Sequence, residues 1–513
     1  MEEPPYIVIE RYSFESLVDL LARYSDKEFV LRKSQSEYFK GYFEELHAET
    51  IVVENRYVDH DYLEDFTAYY VRCFRSYSRK TRRLHFFSVT FSEADFADAI
   101  RGENKGLIEA IKGQYLGFVV LKPLPQTVVG RTCLRTYPAD GGRRQFPILR
   151  EYKANLFGID LTVDTIAFQE QDRVVAACAT SALWSAFQAT GPLFHHAIPS
   201  PAEITKTAAR HIPDEYPSIM PATRGMPNDG LTATQMAHAI RGTGLEAYLV
   251  GARDSNVLKV TVYAYLRAQI PVIMGIALHE APLSQNSKLI GKHAVAITGY
   301  SLGHQAPQTL PKTGVRVRAL RIDKIYVHDD QVGPFARMDL RSDGALTTSL
   351  GTTQGLNAVA IPVLLLIPLY HKIRIPFWCI HDTVHVIGIL LDSLLPHMPQ
   401  GASEGPEWDI YLTTVSQLKS EILASQVLDP DTKSRVLVSD IPKYVWRASA
   451  LITDQVQLDL LFDATDIEQG GAFITAIEYD PVLGHALRLF VQNNTIPNVN
   501  AMVAGVFSYF AQH

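Results

Sequence analysis

The sequence predicts an α+β protein. Helix-like and strand-like stretches follow one another along the whole chain, and the composition supplies a large core. Of 513 residues, 47% are hydrophobic and 20% charged, which gives ample apolar material and too little charge for a disordered chain. A chain of this length suits roughly two to four domains.

Residues 1–125 read as an N-terminal α/β segment of unknown role. SFESLVDLLARY carries a serine cap ahead of helical apolar spacing, and FVLRKS and ETIVVENRY read as strands. DYLEDFTAYYVRCFRSY reads as one long helix, with Tyr62, Phe66, Tyr69, Tyr70 and Phe74 at helical spacing. That aromatic stripe reads as core, because no basic groove accompanies it. YLGFVVLKPLP reads as a strand ending at its prolines. Residues 126–165 read as an irregular connection with hairpins, and the basic RTCLRTYPADGGRRQFPILR overlaps it as a solvated loop or hairpin.

The texture changes near residue 166. A helix is expected over 174–189, followed by a Pro-rich stretch (198–230) suited to covering a cleft. A second helix is capped by Thr232 and stopped by Gly242 and Gly244. VYAYLRAQIPVIMGIAL reads as a short helix and a strand, and GKHAVAITGY and IDKIYVHDD as two more strands. Residues 346–513 read as a C-terminal α/β segment. Its apolar run LNAVAIPVLLLIPLY spans 356–370 and holds two prolines. That is short of the about 20 residues a membrane span needs, so it reads as buried strand and no membrane span is expected. HDTVHVIGILLDSLL and WDIYLTTVSQLKSEILAS read as helices, and LDLLFDATDIEQGGAFITAIEYD as strands around an acidic loop.

A net charge of −7 gives no electrostatic case for nucleic acid or an anionic membrane as the main partner. The four cysteines, Cys73, Cys133, Cys178 and Cys379, are widely spaced and form no CxxC pair, which suits a reducing compartment. MEEPPYIVIERY shows no signal-peptide pattern, and a cytoplasmic location is expected.

Chemistry concentrates in the middle segment. Cys178 falls in the first turn or so of the expected 174–189 helix, where unsatisfied N–H groups and the positive dipole end favour a thiolate. Small neighbours (Ala176, Ala177, Ala179, Thr180) leave room for a substrate backbone. His293 opens an apolar, β-branched strand, where a histidine has no packing advantage and suits a general base. The Asp329–Asp330 pair ends the next strand, and a carboxylate there orients an imidazole. Gln171, seven residues before the cysteine, offers an amide to an oxyanion. Taken singly, each of these has an ordinary structural explanation: a packed cysteine, a satisfied histidine, a turn at a strand end.

In this order the pieces resemble a papain-like cysteine peptidase of the C39-like type over residues 166–345. Gln171 and Cys178, GLTATQMAHAIRGTGLEA, IPVIMGIAL, HAVAITGY and DDQVG match its motifs. The resemblance implies a helix carrying the cysteine packed on an antiparallel sheet. It also implies a Cys178–His293–Asp329 triad with Gln171 as oxyanion donor, a protein or peptide substrate, and no cofactor or metal. Ala179 stands where many relatives have Gly; Asp330 stands where Pro is common, which leaves Asp329 or Asp330 open, and the Gln-to-Cys gap of seven, where the family usually has about six, leaves Gln171 or Gln169 open. Gly333 favours Asp329 by keeping the D-x-x-x-G spacing. Acyl transfer or deamidation by the same triad, or an inactive scaffold that binds a protein partner, are the alternatives. The flanking segments would then limit access or hold a regulatory protein. A separate zinc reading rests on HDTVH, which sets His381 and His385 one helical turn apart with Asp382 between them.

Overall fold

The computed structural model describes residues 3–172, 177–211, 230–284, 287–304, 306–311, 313–350, 358–398, 404–466, 471–493 and 499–512. In chain order its strands begin β1 (Tyr6–Ile9), β2 (Thr50–Tyr57), β3 (Thr81–Phe87), β4 (Tyr115–Leu121), β5 (Val129–Leu134), β6 (Arg144–Gln145) and β7 (Arg150–Leu156). Next come β8 (Ile159–Thr165), β9 (Glu246–Gly251), β10 (Val272–Glu280), β11 (Leu289–Leu302), β12 (Arg316–Val317) and β13 (Ile322–Asp329). The last are β14 (Gly333–Asp339), β15 (Ala358–Leu369), β16 (Glu407–Thr414), β17 (Tyr444–Ile452), β18 (Gln455–Asp463) and β19 (Phe473–Glu478). Helices and largely antiparallel sheets make the chain α+β.

Two compact units interleave along the chain. One takes residues 1–253, 269–301 and 324–368, the other 254–268, 302–323 and 369–513. The divisions expected at 125, 165 and 345 all fall inside the first unit, and the expected segments 166–345 and 346–513 each contribute to both. The reason is strand pairing: β6, from the supposed connection, joins β11, and β15, from the supposed C-terminal segment, joins β10.

The first unit holds a five-stranded sheet in the order β1-β2-β3-β4-β5, a β7–β8 hairpin, and a sheet in the order β14-β13-β11-β10-β15-β9, with β6 on β11. β11 is buried continuously from Ala294 to Ser301, so this strand is covered on both faces. The glycine of its TGY segment has a steric cause. A Cβ on Gly299 would stand 2.5 Å from the Phe146 ring and 2.6 Å from the Gln145 carbonyl oxygen. Gly299 thus lets the chain around β6 lie directly on the strand that carries His293.

The second unit holds a sheet in the order β12-β16-β17-β18-β19. Trp408, Trp446 and Leu460 are wholly buried in it. Arg447 is buried on β17 and satisfied by Asp459, whose other oxygen takes the Ser449 hydroxyl. The Phe377–His397 helix is long and apolar enough, with mean hydropathy 1.3, to cross a bilayer by length and composition. Ile380, Val384, Ile387 and Leu391 form its buried face in this unit, at helical spacing.

Several local expectations change. FVLRKS lies partly in a short helix, Lys27–Leu31, because Asp26 caps it by accepting from the Phe29 N–H at 3.0 Å. The aromatic helix stops at Ala68, and of its stripe Tyr62 and Tyr70 are buried while Phe74 is fully exposed. WDIYLTTVSQLKSEILAS is a strand, β16, and then a helix, Val415–Ala424, divided at Thr414. That hydroxyl caps the helix through the Gln417 N–H. The β-branched and aromatic run before the cap favours extended backbone. The 356–370 run is largely β15, a strand, as expected.

Gly299→Ala is expected to destabilise the protein by about 2 kcal/mol or more through overpacking against backbone and ring. Gly291→Ala, with nothing within 4 Å of the new methyl, is the control on the same strand. Chemical denaturation of both variants measures the difference.

Candidate active site

The cysteine-bearing helix runs Cys178–Phe194 and begins on the cysteine. The start expected at 174 lies outside the described residues, as does most of the Pro-rich stretch. CATSALWSAFQAT is rich in strong helix formers, with no β-branched run to oppose them. Leu183, Trp184, Ala186 and Phe187 are wholly buried, so the helix is packed nearly all round. Its cap residue, Ala177, supplies no side-chain acceptor. The first-turn N–H groups therefore face no competing side-chain cap, and Cys178 sits half-buried among them.

His293 lies within β11, opposite Ile276 of β10, rather than at the strand start. Asp329 ends β13, the neighbour of β11 on its other side, next to a bulge after Val327. The two strands bring His293 Nε2 to 2.9 Å from Asp329 Oδ1. A carboxylate only accepts, so Nε2 carries the proton and donates it. The Gln331 backbone N–H donates to the same oxygen at 3.0 Å and fixes the carboxylate. The Cys178 thiol interacts with the same imidazole. With Nε2 engaged, Nδ1 is the nitrogen left for it, and Nδ1 has no other hydrogen-bond partner among the described residues.

Burial alone would lower the pKa of His293. The Asp329 charge, its hydrogen bond and the thiol together outweigh burial and hold the ring well above its ordinary 6.5. That direction favours the charged ring, with one N–H for Asp329 and one left for the thiol.

Asp330 is also buried, with Oδ1 3.7 Å from His293 Nε2. Neither of its carboxylate oxygens has a hydrogen-bond partner among the described residues. Burial, and then the charge of Asp329, raise its pKa to about 7 against the pull of His293. Of the two acids left open by the sequence, Asp329 makes the hydrogen bond.

The two glutamines differ in setting. Gln171 is partly exposed, while Gln169 is buried with its amide nitrogen unpartnered among the described residues. Glu170 between them is pinned by an ion pair to Lys33, and its other oxygen takes the Val129 N–H at 3.0 Å. This fixes the chain shortly before the cysteine.

Sequence reasoning missed the support given by the Ser34–Glu45 helix. Gln35 donates its amide to the Asp330 carbonyl at 3.0 Å, Tyr38 donates to the Pro334 carbonyl, and Glu45 pairs with Arg337. Gly333 is needed because a Cβ there would stand 2.3 Å from the Tyr38 ring. These partners lie almost 300 residues apart in sequence, and no local pattern marks them.

His381 and His385 lie on one helix with ring centroids 5.9 Å apart, and Asp382 sits 3.2 Å from His381 Nδ1. Burial lowers the pKa of both rings. Among the described residues no further acid, cysteine or histidine joins them in a compact ligand set. Cys133 is buried, which raises its thiol to about 12, and Cys379 is likewise raised by burial. No protein-family model matches the chain, and no curated protein matches it.

The raised Asp330 gives a stability prediction. The folded state favours its protonated form, so no penalty exists below the ordinary carboxyl pKa of 3.8, and the penalty is complete once the pH passes about 7. Asp330→Asn is expected to melt several degrees above the parent at pH 8, with the gap closing towards pH 4. The His293–Asp329 pair runs the other way. Its contribution is full below pH 6.5 and fades as the pH rises through the elevated His293 value. Asp329→Asn should therefore lower the melting temperature most at pH 5 to 6. Calorimetry from pH 4 to pH 8 reads both.

Proposed function

We propose that this chain is a thiol hydrolase of the papain-like type, a cysteine peptidase that cleaves an amide bond in a protein or peptide. The observation that carries the reading is Cys178, first residue of a buried helix, beside an imidazole held by Asp329 at 2.9 Å. The order of nucleophile, base and acid along the chain supports it.

In this mechanism His293 and Cys178 form the reacting pair. Cys178 Sγ attacks the carbonyl carbon, and the oxyanion forms near the first-turn N–H groups. The amide of Gln171, with Gln169 as the alternative, adds a donor. His293 gives the Nδ1 proton to the leaving amine, and the C–N bond breaks. Water, deprotonated by His293, then hydrolyses the thioester and regenerates the thiolate. Throughout, Asp329 holds the ring orientation and its positive charge.

Iodoacetamide labelling with peptide mapping tests the nucleophile. Cys178 should label faster than Cys73, Cys133 and Cys379. His293→Ala should remove that advantage and lower turnover about 100-fold or more. Incubation with a peptide library, read by mass, separates cleavage from deamidation and from transfer to an added amine. An inert Cys178 in the folded protein, or full turnover in Cys178→Ala, contradicts the proposal.

A further inference from the structure

The thiol chemistry uses one carboxylate beside His293 and leaves the second unexplained. His293, Asp329 and Asp330 are each at most 5% exposed. His293 Nε2 lies 2.9 Å from Asp329 Oδ1 and 3.7 Å from Asp330 Oδ1, and one donor atom from each residue falls within 4.8 Å of the other two. Donor atoms on one tetrahedral zinc, at bonds of about 2.0–2.1 Å, stand about 3.3 Å apart, a value the two measured separations bracket. Asp330 aims into this group with both oxygens lacking hydrogen bonds among the described residues. An unpaired buried carboxylate is costly, and a dication offsets that cost. An imidazole nitrogen with carboxylate oxygens suits Zn2+, whereas Mg2+ and Ca2+ take oxygen ligands.

We propose that His293, Asp329 and Asp330 form a site for one Zn2+ ion, and that its occupancy locks the thiol site. The lock rests on the hydrolase reading; the binding does not. Zinc would take the Nε2 lone pair after its proton leaves to solvent, and Asp330 would bind as a carboxylate. The ring is then neutral with its one proton on Nδ1, and the two carboxylates offset the zinc charge, so no ring cation faces the thiol and Nδ1 cannot take a proton from water. No group is oxidised or reduced.

The test uses the full chain after treatment with EDTA and buffer exchange. Calorimetric titration with ZnCl2 should give one ion per chain, and CoCl2 should give the visible absorption of a tetrahedral site. Asp330→Asn should bind Zn2+ at least tenfold more weakly, while Cys178→Ala binds as the parent does. An unliganded melt of Asp330→Asn shows that it folds, and His293→Ala serves as the second ligand variant. In the parent, Zn2+ should slow Cys178 alkylation and EDTA should restore it. Absence of binding, or equal affinity in Asp330→Asn and the parent, overturns the site. Binding without slowed alkylation overturns the lock. Cys178 alkylating no faster than Cys73 in metal-free protein contradicts the hydrolase reading instead, and leaves the binding result standing.

Discussion

The hydrogen bond from His293 to Asp329 is the constraint on which the site depends. It joins two neighbouring strands in a place with almost no solvent. There an imidazole would ordinarily be neutral, because burial disfavours the charged form. The carboxylate reverses that balance and fixes which ring nitrogen faces which partner. Buried His328, the residue just before Asp329, shows the contrast: with no carboxylate of its own, burial lowers it to about 3. A carboxylate alone does not decide the direction: Glu54 lies 3.7 Å from Nε2 of buried His85, and burial still lowers that ring to about 4.

The rest of the first unit serves to hold that bond. β11 and β13 lie side by side, and the Gln331 N–H fixes the carboxylate from the following turn. The Ser34–Glu45 helix grips the β13–β14 turn through Gln35, Tyr38 and Glu45, with Gly333 clearing the Tyr38 ring. On the nucleophile side, Cys178 opens a largely buried helix, and the Lys33–Glu170 pair anchors the chain at Glu170. Rigid elements rather than loops carry the three groups, which is what a reactive geometry requires. Asp330 adds a second acid, and its raised pKa limits the negative charge gathered around one ring.

Part of this was legible in the sequence. The α+β class, the strands carrying His293 and Asp329, and the Thr232 cap followed from periodicity and capping, which act over a few residues. Cys178, His293 and Asp329 could be picked out by their order along the chain, since singly each has an ordinary structural explanation and only His293 lacks a packing advantage. Other features were out of reach. The division into units depends on β6 and β15 joining a distant sheet, and Gln35 reaches the site from the far end of the chain. WDIYLTTVSQLKSEILAS reads as a single helix because apolar spacing alone does not mark Thr414 as a cap. Asp329 and Asp330 are chemically identical, and only the bulge and strand register decide which one meets the ring.

The most direct measurement of the central claim is the NMR signal of the His293 ring in 15N-histidine-labelled protein. The account predicts an imidazolium at pH 7, with a strongly downfield Nε2 proton that is lost in Asp329→Asn and moves when Cys178 is alkylated. A neutral ring that titrates near the ordinary 6.5 and ignores the state of Cys178 would contradict it.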